Sequence, residues 1–302
     1  MPNANDISLR QLQYVVAVAD SLGFHKAAAL CHVSQPTLSA QVALLESVLG
    51  VRLFERDRRR VLVTPAGADL VARARRVLLE VDDLLATASR AQAPFSGTLR
   101  LGVIPTLAPY LLPEVTPAIR KKYPALALEF HEEKTADIVR GLAEGTLDAG
   151  IAAQEAELGD AAQAAILRDD FVVALPKQHP LAKKAKLALA DLEDETVLLL
   201  DEGHCFRDQA LALCAKVHAD VANFRATSLA TLAQMVSSGA GVTLLPTLAV
   251  PVENRRGQLE IRPFSRPVPH RTVVLVWRKS SPFGSAFTEL AAALEQALAV
   301  KR

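Results

Sequence analysis

Residues 24–56 read FHKAAALCHVSQPTLSAQVALLESVLGVRLFER, and the fold follows from this stretch outward. Two helical segments, FHKAAALCHV (24–33) and 34–50, have a short turn between them, with a third, LRQLQYVVAVADSLG (9–23), in front of them. In the segment from 34, Ser34 suits the N-cap, Pro36 sits in the first turn where an N–H is not needed, and Gly50 is the stop. Leu38, Val42, Leu45 and Leu49 recur at helical spacing, leaving Gln35, Thr37, Ser39 and Gln41 as the polar outer face. Arg56, Arg58, Arg59 and Arg60 then precede an alternating RVLVT that suits the second strand of a hairpin. Together these segments make a winged helix-turn-helix. Its short hydroxyls and amides reach phosphates and base edges of a major groove, and its arginines supply contacts that carry affinity without sequence information. An arginine run alone is more often a solvated face; its place directly after the helix pair favours the duplex.

Thr64 and Pro65 open a long helix through about Ala91. Leu70, Ala74, Val77, Val81, Leu84 and Ala88 form a narrow heptad seam in it, which asks for a partner helix. The competing reading is packing on its own domain. After the linker AQAPFSG (91–97), apolar strands TLRLGVIP, LALEFHE, DAGIAA, FVVALP, VLLLD, FRATS, VTLLP and TVVLVWR alternate with helical stretches. That alternation predicts α/β units on a largely parallel sheet, divided into two subdomains with a cleft. The expected organisation is multidomain: a winged helix-turn-helix over 1–63, a linker and dimerisation helix over 64–92, and a regulatory domain over 93–302. Within the last, subdomain I is expected at about 97–170 with 272–302, and subdomain II at about 171–271.

Composition narrows the function classes. The 302 residues are 50% hydrophobic and 22% charged, as in an ordinary globular protein, and the net charge of +1 confines any nucleic-acid binding to a local patch. The N-terminus MPNANDISLR lacks a signal peptide's basic and apolar regions and no run approaches a membrane span, so a cytoplasmic protein without membrane attachment is expected. Neither a phosphate loop nor an HxxxH or CxxC pairing occurs, so no cofactor and no metal are expected.

Two of the three cysteines fall in GHCFRDQALALC (203–214), which has the look of a helix. Nine helical steps put Cys214 roughly 13 Å along the axis from Cys205 and on the opposite face, whereas a disulfide needs Cα atoms within about 7 Å. Either the thiols are unrelated, or the segment must come apart before they meet. Cys205 stands at or just before a helix start, which favours a thiolate. His204 and Arg207 offer positive charge; Asp201, Glu202 and Asp208 oppose it, and the sum is open at this level. Cys31, inside the helix pair, is expected to be core packing.

The stretch 24–56 with TPAG (64–67) resembles the LysR-type transcriptional regulators, and the whole chain is similar to their layout: winged helix-turn-helix, linker helix, and a periplasmic-binding-protein-like regulatory domain of two Rossmann-like subdomains. The resemblance implies DNA contacts from Ser34, Gln35, Pro36, Thr37, Ser39 and Arg56, and dimers through the linker helix, usually assembled into tetramers. GHCFRDQALALC, GVIPTLAPYLLP and FRATSLATLAQMVSSGAGVTLLPTLAV further resemble the hydrogen-peroxide-sensing members of that family. On that resemblance Cys205 is the peroxide-reacting cysteine and Cys214 the resolving one. His204, Arg207 and Asp208 lie in the same motif, Thr106 and Thr135 match threonines lining the peroxide pocket, and Arg271 matches a pocket arginine. Arg271 and His204 suit charge stabilisation of Cys205; Thr106, Thr135 and Asp208 suit orientation of the peroxide. The implied protein is an activator of antioxidant genes, not an enzyme, with promoter DNA, hydrogen peroxide, RNA polymerase, its own copies and a cellular disulfide reductant as partners. The alternative is a regulator of the same family that senses a small metabolite with redox-inert cysteines. A thiol peroxidase is disfavoured by the DNA-binding module, and a solute-binding protein by the missing signal peptide.

Overall fold

The computed structural model describes residues 6–56, 61–90 and 95–299. Contacts divide the chain into two compact units, residues 1–92 with 143–145, and 93–142 with 146–302.

The first unit comprises α1 (Leu9–Ser21), α2 (Phe24–Leu30), α3 (Gln35–Leu49), an antiparallel hairpin of β1 (Phe54–Arg56) and β2 (Val61–Val63), and α4 (Pro65–Arg90). Ser8 and Gln11 form a reciprocal capping box at the start of α1. The turn from α2 into α3 takes His32 through the left-handed region at φ 53, and Gly50 ends α3 at φ 68. Tyr14, Val18, Leu38, Val42, Leu45 and Phe54 close a single core in which Cys31 is a half-buried packing residue. The hairpin is tied to α3 through Glu46, whose Oε1 accepts the N–H groups of Leu53 (2.7 Å) and Phe54 (3.2 Å). Thr64 Oγ1 accepts from the Gly67 N–H at 2.9 Å, and a Cβ at Gly67 would lie 2.2 Å from the Leu53 carbonyl oxygen. The TPAG motif is therefore where the long helix meets the hairpin backbone too closely for any side chain. Of the heptad seam, Leu70 and Ala74 pack toward the domain's own core while Val77 and Leu84 are exposed. Packing on the domain's own core thus accounts for the first half of the stripe and leaves the second half uncovered; the Ala88 side chain lies outside the described residues.

In the second unit the order is β3 (Gly97–Val103), α5 (Ala108–Lys122), β4 (Leu126–Glu132), α6 (Thr135–Glu144), β5 (Ala149–Ala153) and β6 (Ala161–Pro176). There follow β7 (Thr196–Leu200), α7 (Cys205–Lys216), β8 (Asp220–Ala226), α8 (Leu229–Ser237), β9 (Thr243–Pro246), α9 (Val250–Glu253), β10 (Leu259–Pro263), β11 (His270–Arg278) and α10 (Gly284–Ala299). Each lobe is built on a β-α-β-α-β run, from β3 to β5 and from β7 to β9. In the first lobe β4, β3 and β5 are parallel and β11 closes the sheet antiparallel to β5. In the second, β7 and β8 are parallel and join β9 through backbone bonds of Val242, which donates to Thr196 (2.9 Å) and accepts from Leu198 (2.8 Å). The sixteen-residue β6 belongs to both: residues 161–170 pair with β11, and residues 171–176 pair with β9 and β10.

The expected largely parallel sheet is therefore mixed, because β6 and β11 run antiparallel to their neighbours as the chain passes between lobes. Two strand segments also escape the sequence pattern. AAQAAILRDD (161–170) is rich in alanine and polar residues, which are poor strand formers, and LEIRP (259–263) carries charges and a proline suited to the edge it occupies.

Candidate functional site

The site begins where β7 ends. The turn 201–204 is held by Gly203 at φ +87, by Lys134 Nζ donating to the Glu202 carbonyl at 2.8 Å, and by Arg207 Nη1 donating to the Leu200 carbonyl at 3.2 Å. That turn sets Cys205 as the first residue of α7, after His204 at the N-cap. The helix then runs unbroken to Lys216, so the two cysteines stand nine steps apart on one rigid element. Phe206, Ala210 and Cys214, four residues apart, form its buried stripe in the second lobe's core, with Cys214 only 1% exposed. Cys205 is half-buried and faces an open pocket of about 590 Å³ lined by Thr135, Gly203, Asp208, Gln209, Glu155 and Glu157 among others.

Arg271 and Thr106 lie outside that lining and are bound to each other. The guanidinium, 0% exposed, donates from Nη1 to Thr106 Oγ1 (2.8 Å), from Nη2 to the Thr106 carbonyl (3.1 Å), and from Nε and Nη2 to Asp169 Oδ2 (3.0 and 2.9 Å). Asp169, equally buried, sits opposite Arg271 in the β6–β11 register and accepts the Leu248 N–H at 3.1 Å through its other oxygen. Arg271 also lies 5.7 Å from the centre of the Phe206 ring, which meets Phe171 edge-on at 5.1 Å. One buried ion pair thus ties both lobes to the start of α7. Asp169 has no motif around it; two consecutive acidic residues inside a strand are its only sequence signal.

Burial pushes the Cys205 thiol above its ordinary 9.0; Arg271, the Thr135 hydroxyl and the Phe206 N–H pull it down, and Asp208 adds to the rise. The upward direction wins because the loss of solvation around the sulfur outweighs the attraction of Arg271 and the two hydrogen-bond donors. The Thr135 hydroxyl, near enough to act on the sulfur, is buried and completes no hydrogen bond among the described residues. His204 is buried too, and burial together with Lys134 lowers its pKa below 6.5 against the pull of Asp201. That direction favours the neutral imidazole, against the positive charge its position suggested. Arg207 is likewise spent on the strand end. Because the Cys205 pKa lies above 9.0, the thiolate fraction is small at neutrality and grows through pH 9. Iodoacetamide alkylation of Cys205 should therefore keep accelerating across that range; a plateau below pH 8 contradicts the assignment.

At the other end of the chain, Ser34, Gln35, Pro36 and Thr37 are exposed at the start of α3. Ser34 Oγ accepts the Thr37 N–H at 3.3 Å and lies 2.7 Å from its hydroxyl, so the two side chains form one polar tip. Ser39 is half-buried. Gln41 departs from the expected outer face: its Oε1 accepts from Gln11 Nε2 at 3.2 Å, since one position before Val42 it borders the buried stripe and turns to α1. Arg56 lies in β1, but its side chain and residues Arg58, Arg59 and Arg60 lie outside the described residues. Among the described residues no group of three His, Cys, Asp or Glu gathers as a metal site, and no helix is long and apolar enough to cross a membrane.

The family description of a bacterial regulatory helix-turn-helix protein, lysR family, matches residues 9–68, and that of the LysR substrate binding domain matches residues 92–299. The chain belongs to the LysR family of DNA-binding transcriptional regulators, and within it to the OxyR group. It is 43% identical over 289 residues to the DNA-binding transcriptional dual regulator OxyR of Escherichia coli K12, covering 95% of each chain. A full-length OxyR from Pseudomonas aeruginosa with a cysteine-to-aspartate substitution superposes with a TM-score of 0.80 at 38% identity, covering 95% of this chain and 94% of that one. A cysteine-to-serine OxyR mutant from Corynebacterium glutamicum, bound to hydrogen peroxide, gives 0.68 at 35% identity over 97% and 93%.

Proposed function

We propose that this chain is a peroxide-responsive transcriptional activator in which Cys205 is the reacting thiol and Cys214 the resolving one. The thiolate sulfur attacks one peroxide oxygen, the O–O bond breaks, and the other oxygen leaves as hydroxide and takes a proton to become water. The Cys214 thiol then displaces the hydroxyl of the sulfenic acid as a second water, and the disulfide forms. Thr135, with a buried hydroxyl and no protein partner, is the donor for the peroxide; Asp208 serves the same pocket, while Thr106 and Asp169 hold Arg271 behind the sulfur. His204 and Arg207 hold the turn that presents Cys205.

The observation that carries this reading is the placement of the two thiols: one facing a pocket, the other in the core, on one continuous helix. A disulfide between them requires α7 to unwind, so oxidation selects between two packings of one segment. The OxyR relatives, one of them holding hydrogen peroxide, support the same direction. The exposed Val77 and Leu84 of α4 support pairing with a second copy, and a dimer of dimers is the proposed assembly. Ser34, Gln35, Pro36, Thr37 and Ser39, with Arg56, read promoter DNA. RNA polymerase, a cellular thiol reductant and a cytoplasmic location complete the proposal, on the working division 1–63, 64–92 and 93–302.

A metabolite-sensing regulator with idle thiols is the second reading, favoured by a pocket far larger than peroxide needs. Mass spectrometry after one equivalent of peroxide separates them. The expected product is a peptide pair linked through Cys205 and Cys214 that disappears on reduction; unmodified thiols under those conditions sustain the metabolite reading instead.

A further inference from the structure

We propose that Glu155, Glu157 and Asp208 make the mouth of the Cys205 pocket an electrostatic filter, which admits small neutral oxidants to the sulfur and holds off anionic ones. The inference rests on Cys205 being the reacting thiol.

The pocket lining carries these three carboxylates and no Lys, Arg or His. The cations around it keep their charge but lie outside the lining, each held by other groups. Arg271 is fully buried and bound to Asp169 and Thr106, Arg207 donates to the Leu200 carbonyl, and Lys134 is held on the Glu202 carbonyl. His204, buried behind the turn, favours the neutral imidazole. Glu155 is fixed in place: one oxygen accepts the Thr272 N–H at 2.8 Å and the other receives Gln209 Nε2 at 3.5 Å. The remaining polar groups of the lining are uncharged, and two of them, Thr135 Oγ1 and Gln209 Oε1, are buried without a partner among the described residues. An anionic mouth over neutral, unsatisfied donors and acceptors suits a molecule that hydrogen-bonds and carries no charge. Hydrogen peroxide and small alkyl hydroperoxides fit that class; the peroxymonosulfate anion, from which sulfate would leave as the S–O bond forms, does not. The lost attraction and added repulsion act through solvent, so salt weakens them.

Two alkylating probes test this on the full-length protein without any oxidant. The Cys205 sulfur displaces iodide from iodoacetamide, which is neutral, and from iodoacetate, which is anionic; the Cys205 peptide is quantified by mass spectrometry. Because both reagents report the same thiolate, their rate ratio cancels any change in its pKa. The neutral-over-anionic preference at Cys205 should exceed that of a capped free cysteine by roughly fivefold, and should fall to within about twofold of it in roughly 1 M salt. The Glu155→Gln/Glu157→Gln variant, in which the amide oxygen introduced at position 155 can still accept the Thr272 N–H, should show the same fall. A wild-type preference equal to that of free cysteine overturns the filter, as does a preference unmoved by both salt and the double substitution. The salt series needs no variant, so poor folding of the double variant leaves the test intact. Failure of the peroxide reading itself would show separately, as Cys205 left unoxidised by peroxide.

Discussion

Cys205→Ser is expected to abolish the response to hydrogen peroxide while leaving fold and DNA binding in place. Serine occupies the first turn of a helix as comfortably as cysteine does, and the half-buried position at the head of α7 tolerates the smaller oxygen. A hydroxyl, however, is a far weaker nucleophile than a thiolate and forms no sulfenic acid, so the rate of peroxide consumption should drop by about three orders of magnitude or more. Cys214 does not substitute, because burial in the second lobe's core raises its pKa and keeps peroxide from its sulfur. Footprinting of a target promoter before and after one equivalent of peroxide reads the outcome directly. The companion Cys214→Ser should still react and stop at a sulfenic acid that dimedone traps. A Cys205→Ser protein whose footprint still shifts with peroxide would sink the assignment of that thiol.

Asp169→Ala should be the most destabilising single change near the site. It leaves the Arg271 guanidinium, fully buried, with only the Thr106 oxygens as hydrogen-bond acceptors among the described residues. Removing one member of a buried ion pair typically costs about 3–5 kcal/mol, most of it from stranding the other charge. Urea unfolding should show that as a lower midpoint with an unchanged slope. A double change, Asp169→Leu with Arg271→Met, removes both charges and should recover most of the loss. If the single variant unfolds like the wild type, the pair is not the strut between lobes that its geometry makes it.

These two residues also mark where reading a chain from its letters succeeds and where it stops. Ser34, Pro36 and Gly50 bracket α3 through rules that act within one helical turn, and Leu38, Val42 and Leu45 face the core because their spacing leaves them no other face. Gly203 and Cys205 similarly follow from the strand-turn-helix pattern around them. Arg271 was legible only through resemblance, and Asp169 not at all, since a separation of 102 positions carries no periodic signal of a pairing that tertiary folding creates. Gln41 turned inward for the same kind of reason, a bond to Gln11 thirty residues away. The direction of the Cys205 pKa needed the structure too: helix start and acidic neighbours are local and oppose each other, but burial, the largest cause, is a property of the packed lobes. Strand β10 and the first half of β6 were missed because sheet membership there is imposed by neighbours, against the preferences of alanine, charge and proline.

The unbroken run of α7 between its two thiols has a consequence in time. If Cys205 becomes a sulfenic acid as proposed, Cys214 reaches it only when the helix opens, and until then a second peroxide molecule competes for the same sulfur and would carry it to sulfinic acid. The opening rate of three helical turns is then a clock, and the ambient peroxide level decides who arrives first. Gentle, sustained exposure favours the reversible disulfide; a brief, intense burst favours permanent silencing of the sensor.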